Sequence, residues 1–208
     1  MNEHAVLYVI SDSSNLKEDV FLKKIEEVCK GGASLLQLRE KTCTTKEYYE
    51  LACKVKEITM KYNVPLIIDD RVDIALAIDA QGVHVGSDDM PVRLARKLLG
   101  PDKIVGATAK SVKRALQAQQ DGATYVGVGA IYPTTTKVKT KLTSVETLTD
   151  IVQHVSIPVY AIGGLHKDNI NILDGSGIQG ICAVSAIMKA EDIQQACIEL
   201  KKCMIETL

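Results

Sequence analysis

The chain has 208 residues, of which 46% are apolar and only 4% aromatic, and its formal net charge is −1. A nearly neutral chain without a basic stripe argues against nucleic-acid and membrane-surface binding. Neither a signal-peptide pattern nor an apolar run of membrane-spanning length is visible, so we expect a cytoplasmic protein with one domain over residues 1–208.

Strand-like and helix-like segments alternate along the whole chain. Apolar, mostly β-branched runs predict strands over residues 6–10, 35–39, 65–68, 82–85, 103–106, 124–128, 158–162 and 180–184. Helical apolar spacing predicts helices over residues 17–29, 44–62, 72–78, 91–99, 111–120, 145–155, 167–173 and 191–205. Thr45 is expected to cap the second helix, and Pro91 to open the fourth in its first turn.

About eight strand–helix units close a parallel barrel, so the sequence predicts a single-domain α/β fold, the (β/α)8 TIM barrel. An open doubly wound sheet would alternate in the same way, but no Gly-x-Gly-x-x-Gly turn follows the first strand. With no Trp and one Phe, the core must be filled by Val, Ile, Leu and Ala. Six scattered cysteines without a Cys-x-x-Cys pair are interpreted as reduced, packed thiols.

Polar stretches follow four of the predicted strands, at residues 37–41, 68–71, 86–89 and 133–137. In the first stretch, Gln37, Arg39 and Lys41 share one face because side chains alternate along an extended segment. A solvated strand end would explain an isolated Arg-x-Lys pair. Because the preceding strand is apolar, we favour an anion site, in which a phosphate oxygen bridges the two cations.

Asp70 and Asp89 follow the third and fourth predicted strands, which are neighbours on the rim of a barrel. Carboxylate oxygens from adjacent loops can hold Mg²⁺ and leave coordination positions for phosphate oxygens. Either residue alone would more often be a helix cap or a turn residue. Their position beside Arg39 and Lys41 therefore predicts a metal-bound polyphosphate.

Two further groups indicate a second phosphate site. Thr134, Thr136 and Lys137 lie in the loop after the sixth strand, where hydroxyls and an ammonium could bind phosphate oxygens. Gly163-Gly164 and Val184-Ser185 follow the seventh and eighth strands, where barrels commonly bind a phosphate on backbone N–H groups.

The sequence offers no evident acid–base machinery. His84 and His154 lack a Cys, His or acidic partner at metal-binding spacing, so packing or surface roles are expected. No Ser–His–Asp arrangement and no Walker loop can be assembled. This absence suits chemistry that depends on positioning and electrostatics.

Five groups of motifs resemble those of thiamine-phosphate synthases and occur in the order typical of that family. They are Gln37-Leu-Arg-Glu-Lys41, Asp70-Arg71, Gly82-Val-His-Val-Gly86 with Asp89-Met-Pro91, Gly127-Val-Gly with Pro133-Thr-x-Thr-Lys137, and Ala161-Ile-Gly-Gly164. The resemblance covers nearly the whole chain. It implies a Mg²⁺-dependent transferase that joins hydroxymethylpyrimidine diphosphate to the phosphate ester of a hydroxyethyl thiazole. The implied products are thiamine monophosphate and pyrophosphate, by a dissociative mechanism through a pyrimidine-methyl cation.

The resemblance also implies roles for individual residues. Asp70 and Asp89 would hold Mg²⁺, and the residues implied in catalysis are Arg39, Lys41, Lys137 and Thr108. The implied substrate-binding set is Gln37, Leu38, Arg39, Glu40, Lys41, Asp69, Thr108, Thr134, Thr135, Thr136, Lys137, Gly164, Val184 and Ser185. Within it, Gln37, Arg39, Lys41 and Lys137 would hold the pyrimidine diphosphate.

Two positions depart from the family pattern. Asp69 stands where the family usually has Asn, and Thr108 stands where it has Ser. The alternatives are a sister-family thiazole tautomerase, disfavoured because its histidine is replaced by Lys110, and a non-catalytic sensor of phosphate ligands on the same barrel. A sugar-phosphate epimerase or isomerase is disfavoured for want of an acid–base pair. Oligomeric state stays open, with a homodimer as one option.

Overall fold

The computed structural model describes residues 5–134 and 141–208 and contains a closed barrel of parallel strands. The strands are β1 Val6–Ile10, β2 Leu35–Leu38, β3 Leu66–Asp69, β4 Gly82–Val85, β5 Ile104–Ala109, β6 Tyr125–Gly129, β7 Val159–Ile162 and β8 Gly180–Ala183. Each strand pairs with the next, and β8 pairs with β1 through the register Tyr8 to Cys182. The predicted (β/α)8 TIM barrel is therefore confirmed.

Helices connect the strands around the outside. They are α1 Glu18–Lys30, α2 Thr45–Lys61, α3 Val72–Ala77, α4 Val92–Leu99, α5 Val112–Gln120, α6 Val145–His154, α7 Ser185–Met188 and α8 Ile193–Thr207, and a 3-10 helix covers Ile170–Leu173. The 3-10 helix replaces the predicted helix over 167–173. The short α7 was not predicted, because four residues are too few to show a helical period.

Three local expectations need correction. The cap of α2 is Thr44, not Thr45, because a capping box pairs the Thr44 side chain with the Glu47 backbone and the Glu47 side chain with the Thr44 backbone. Pro91 is the N-cap residue of α4 rather than a residue of its first turn. Strand β5 extends three residues beyond its predicted end at Gly106, which places Thr108 within the strand.

The hydrophobic core has two layers separated by the barrel wall. On β1, Leu7 and Val9 pack outward against the helices, whereas Tyr8 and Ile10 belong to the interior of the barrel. The outer layer is mostly aliphatic, as expected, and also contains the buried rings of Phe21 and Tyr48. The inner layer differs from the expectation, because it contains Tyr8, Tyr125 and Tyr160 in mutual ring contact. The interior thus combines apolar rings with hydroxyl groups that need partners.

All six cysteines are free thiols, in agreement with the sequence interpretation. Burial raises the pKa of the Cys29 and Cys197 thiols to about 12, so both are protonated and unreactive near neutral pH. Within the described residues, no helix is long and apolar enough to cross a membrane.

Candidate active site

A cavity of about 350 Å³ opens at the carboxyl ends of the strands. This end of a parallel barrel is where the loops after the strands converge. The rim of the cavity has two halves with different chemistry. The charged half of the rim comprises Arg39, Lys41, Asp69, Asp70 and Asp89, and the glycine half comprises Gly163, Gly164, Val184 and Ser185.

The charged half is organised around Lys41. Its Nζ lies 2.7 Å from Oδ2 of Asp69 and also donates to Oδ2 of Asp70, and Nε of Arg39 lies 3.8 Å from Oδ2 of Asp69. Burial alone would lower the pKa of Lys41, but the two carboxylates raise it. Lys41 is therefore cationic at neutral pH.

Asp69 is the buried acid of this cluster, with only 7% of its surface exposed. Burial and then the neighbouring charge of Asp70 raise the pKa of Asp69 to about 6, although Lys41 and Arg39 oppose the shift. Its Oδ2 forms ion pairs but no well-aligned hydrogen bond with any described residue. The amide of an Asn at this position would fill the same space without the energetic cost of a buried charge.

Asp70 and Asp89 come together from neighbouring loops. Asp70 adopts a left-handed backbone conformation (φ 61°), and its N–H donates to the His84 carbonyl at 2.8 Å; Oδ2 of Asp89 accepts from Gly86 N–H at 2.8 Å. Burial and then the contact with Asp70 raise the pKa of Asp89. Burial alone would raise the pKa of Asp70, but hydrogen bonds from Lys41 and Asp89 lower it below the ordinary value.

Two carboxylates in direct contact repel each other unless a proton or a cation lies between them. Hard oxygen ligands from Asp70 and Asp89 therefore fit Mg²⁺ in chemistry and in charge. Within residues 5–134 and 141–208, no cluster of three or more His, Cys, Asp or Glu side chains could hold a metal by itself. A cation here would complete its coordination with water or with ligand oxygens.

Most of the predicted site residues line this one cavity. Besides the charged half, the lining contains Gln37, Thr108, Thr134, Gly164, Val184 and Ser185. Thr135, Thr136 and Lys137 lie outside the described residues. The functional roles of all these residues stay predictions.

Two residues of the predicted binding set have side chains outside the cavity lining. Leu38 is completely buried in the outer hydrophobic core, and Glu40 follows it on the same alternating face of the segment. One Glu40 oxygen is buried without a hydrogen-bond partner among the described residues, and burial raises the pKa of Glu40. The alternation that directs Gln37 and Lys41 into the cavity directs the side chains of Leu38 and Glu40 away from it, so neither contributes to the cavity wall.

The glycine half is shaped by its neighbour, the segment after β6. A Cβ on Gly163 (φ +106°) would lie 2.4 Å from Cβ of Ala130, and one on Gly164 (φ +65°) would lie 2.7 Å from Cβ of Tyr132. Tyr132 N–H also donates to the Gly163 carbonyl at 3.0 Å. Glycine is thus required here by backbone conformation and by packing against residues 130–132.

Several cavity residues had not been singled out from the sequence as functional. Tyr8, His84, Asp88 and Lys110 all line the cavity. His84 had been interpreted as a packing or surface residue, yet its ring nitrogens lie 3.0 Å from the Tyr125 hydroxyl and 3.0 Å from the Thr108 hydroxyl. A signal was available: His84 alternates onto the inward face of β4, level with the polar residues of neighbouring strands.

Comparisons with known proteins show to which family the chain belongs. The sequence profile of a family described as thiamine monophosphate synthase matches residues 7–187. A thiamine-phosphate synthase 2 from Streptococcus pneumoniae is 53% identical over 195 residues, with 93% of each chain covered. A thiamine-phosphate synthase from Methanobrevibacter smithii is 53% identical over 89% of this chain and 88% of that one.

A solved structure of a thiamine phosphate pyrophosphorylase from Pyrococcus furiosus superposes with a TM-score of 0.89 at 39% identity, covering 100% of this chain and 98% of that chain. The family profile, the sequence relatives and the solved structure therefore agree on one family over nearly the full length of the chain. The chain belongs to the thiamine monophosphate synthase family.

Proposed function

We propose that this enzyme, a transferase of the thiamine-phosphate synthase class, joins 4-amino-2-methyl-5-hydroxymethylpyrimidine diphosphate to 4-methyl-5-(2-phosphoethyl)thiazole. The products are thiamine monophosphate and pyrophosphate. One observation carries the proposal: Arg39 and Lys41 share a cavity with the contacting acids Asp70 and Asp89. Cations beside a carboxylate pair suit a diphosphate that arrives with a divalent cation.

The charged half would bind the pyrimidine diphosphate. Arg39 and Lys41 contact its phosphate oxygens, with Lys137 from the loop after β6, and Gln37 contacts the pyrimidine side of the cavity. Asp70 and Asp89 would hold Mg²⁺, which supplies charge neutralisation for the departing pyrophosphate. Lys41 forms ion pairs with Asp69 and Asp70, so it is pre-positioned and does not need to be ordered by the ligand.

The glycine half would anchor the thiazole phosphate. Backbone N–H groups of Gly164, Val184 and Ser185 bind it, together with the hydroxyls of Thr134 and Thr136. The two halves face one cavity, so the thiazole nitrogen is held near the carbon from which pyrophosphate leaves. The carbon–oxygen bond breaks first, and the thiazole nitrogen then donates its electron pair to the pyrimidine-methyl cation.

The proposed substitution needs no proton abstraction, so it assigns the role of a general base to no residue of the cavity. The thiazole tautomerase alternative is disfavoured because Lys110 occupies the position of its histidine. A sensor that only binds phosphate ligands would not need two metal-binding acids beside two cations, so this alternative is also disfavoured.

The test mixes the purified protein with both substrates and Mg²⁺ and follows thiamine monophosphate and pyrophosphate by chromatography. We expect both products in equal amounts, and none when a chelator removes the metal. Binding of both ligands without product would contradict the proposal and select the sensor. Isomerisation of the thiazole phosphate alone would select the tautomerase.

A further inference from the structure

Exposed apolar side chains are concentrated on three neighbouring helices, away from the cavity. Nine large apolar side chains are exposed in the part of the chain that the structure describes, and five of them lie on α2, α3 and α4. These five, termed the apolar band, are Tyr49, Met60, Leu76, Leu94 and Leu98, each between 43% and 60% exposed. The other four are distributed over four other segments. A contiguous exposed apolar patch marks an interaction surface.

The members of the apolar band on α2 face α3. Nζ of Lys56 donates to the Ile78 carbonyl at the end of α3, at 2.6 Å, so this flank of α2 lies toward α3. Tyr49 lies seven residues before Lys56 and Met60 four residues after it, spacings that return to the same side of a helix. The six-residue α3 leaves both side chains exposed.

The members of the band on α4 face α3 from the other side. Arg96 donates from Nε to the Gly122 carbonyl at 2.9 Å, so this flank of α4 lies toward the turn after α5. Leu94 and Leu98 are two residues from Arg96 in either direction, about 200° around the helix, and therefore lie on the flank toward α3. Leu76 is exposed on α3 between the two flanks, so the band is continuous.

The two edges of the apolar band carry opposite charge. On α4, Arg93 and Lys97 are exposed, and this helix contains no acidic residue. On the outward face of α2, Glu50 and Glu57 are exposed. Within residues 5–134 and 141–208, three of these side chains form no ion pair, and Glu50 has only a 3.9 Å contact with Lys46. These charges are therefore available to a partner.

Two lysines of α2 are turned away from the band. Lys54 pairs with Glu18 at 2.6 Å and Lys61 with Glu26 at 3.0 Å, and both acids belong to α1. They add no free positive charge to the outward face of α2.

We propose that the apolar band is the interface of a homodimer in which a two-fold axis runs along α3, so that α4 of each copy covers α2 of the other. In this arrangement, the cations of α4 meet the acids of α2 at both edges of the interface. A two-fold axis across the helices would instead place the cations of α4 against each other. The charge distribution thus selects one symmetric arrangement, in which the face is complementary to itself.

The area of this face suits a dimer of modest affinity. Helix α2 has 17 residues and is therefore about 25 Å long at about 1.5 Å per residue. Three neighbouring helices about 10 Å apart span roughly 25 to 30 Å in width. The face thus measures roughly 600 to 750 Å² per copy, near the roughly 800 Å² per partner of stable interfaces. We expect a dissociation constant in the micromolar range.

Sedimentation equilibrium of the purified protein between about 1 and about 100 µM tests dimerisation directly, because association depends on concentration. The average mass of the wild type should rise from that of one chain to that of two. A mass of one chain at every concentration would overturn the proposal, and so would a trimer, which a two-fold axis excludes. The measurement needs no substrate, so its outcome is independent of the proposed function.

Leu98→Lys tests the apolar band. An ammonium placed within the interface would lose water without gaining a partner, so the dissociation constant should rise at least about tenfold. Ile198→Lys is the matched control, because Ile198 is exposed to a similar degree (45% against 53%) but lies on α8. It should dimerise like the wild type, and both variants should keep the circular dichroism spectrum of the folded chain. Undiminished dimerisation of Leu98→Lys, or an equal loss in both variants, would overturn the proposal.

An exchange of charges tests the arrangement of the two copies. Arg93→Glu with Lys97→Glu makes both edges acidic, and Glu50→Lys with Glu57→Lys makes both edges basic. Each double variant alone should therefore dimerise at least about tenfold more weakly than the wild type. An equimolar mixture should form heterodimers as tightly as the wild type dimerises, because opposite charges then meet at both edges. A mixture that associates no better than its components would overturn the placement of α4 over α2.

Another occupant of the face would give a different result. Vesicles of phosphatidylglycerol probe an anionic lipid surface, to which cations beside exposed leucines bind. The wild-type dimer should not sediment with these vesicles, because its apolar band is covered. A monomeric wild type that sediments with them would assign the face to a membrane surface and overturn the homodimer.

Discussion

The charged half and the glycine half of the rim differ in the groups that form them. The charged half places side-chain charges in contact, with Lys41 bound to Asp69 and Asp70. The glycine half has no charged side chain and depends on the backbone conformation of Gly163 and Gly164. Replacing Lys41 in the charged half should therefore change chemistry with little effect on stability, whereas replacing Gly163 in the glycine half should do the reverse.

The largest expected effect tests the charged half. Lys41→Met removes a cation that is placed to contact the leaving pyrophosphate, so we expect kcat/KM to fall roughly 100- to 1,000-fold, with little change in unfolding free energy. Steady-state kinetics and urea unfolding measure the two quantities.

The control is Lys54→Met, which removes an equally long cation from an exposed ion pair with Glu18 (2.6 Å) on the helical surface. Its kinetics should match the wild type. If Lys41→Met were as active as Lys54→Met, the charged half would have no part in catalysis.

In the glycine half, Gly163→Ala should act mainly on stability. The new Cβ would strain a positive-φ backbone and lie 2.4 Å from Cβ of Ala130, so we expect a loss of about 3 kcal/mol in unfolding free energy. Gly100→Ala is the matched control, because Gly100 also has positive φ (+80°) but nothing within 4 Å of its Cβ position. It should lose less, about 1–2 kcal/mol, because its backbone (ψ −179°) is strained for a residue with a Cβ but the new Cβ meets no neighbour. Equal losses in the two variants would show that the packing against residues 130–132 is unimportant.

Asp69→Asn separates stability from chemistry within the charged half. The folded-state pKa of about 6 exceeds the ordinary value of 3.8, so the wild type must ionise a buried acid as the pH rises from about 4 to about 6. Without metal or ligand, the variant should match the wild type below pH 4 and be about 3 kcal/mol more stable above pH 6.

Urea unfolding across that pH range measures the difference. A constant difference at all pH values would contradict the raised pKa. Activity of Asp69→Asn should equal or exceed that of the wild type, and a complete loss would mean that the acid has a role of its own.

The smallest expected effect concerns the metal. Asp89→Asn removes one of two proposed Mg²⁺ ligands and should raise the Mg²⁺ concentration for half-maximal rate by roughly tenfold or more. Asp79→Asn, at an exposed acid paired with Lys103, is the control and should leave that concentration unchanged. An identical magnesium titration for Asp89→Asn would remove this residue from the metal site.

The sequence predicts the barrel and the charged half for the same reason. Apolar strand segments and the charges that follow them are local signals, and a closed parallel barrel brings all strand ends to one rim. The family resemblance then supplies substrates that no residue pattern could specify. Convergence of Arg39, Lys41, Asp70 and Asp89 on one cavity follows from these two steps.

The rest depends on contacts that a sequence does not display. The reason for Gly163 lies in Ala130, more than thirty residues earlier, and the partner of Tyr8 is Tyr125, 117 residues away. Tyrosines in apolar segments and His84 in a short strand are typical of packing, so the hydrogen bonds of their hydroxyls and ring nitrogens are visible only in the closed barrel. The opposite case is Leu38, for which the family motif implied a substrate-binding role but whose side chain is buried in the hydrophobic core.

The most direct measurement of the central claim is a calorimetric titration of inorganic pyrophosphate into the protein, with and without Mg²⁺. Pyrophosphate should bind in the presence of Mg²⁺, bind far more weakly in a chelator, and fail to bind Lys41→Met while still binding Gly100→Ala. Equal affinity with and without the metal, or undiminished affinity for Lys41→Met, would contradict a magnesium-dependent diphosphate site in the charged half of the rim.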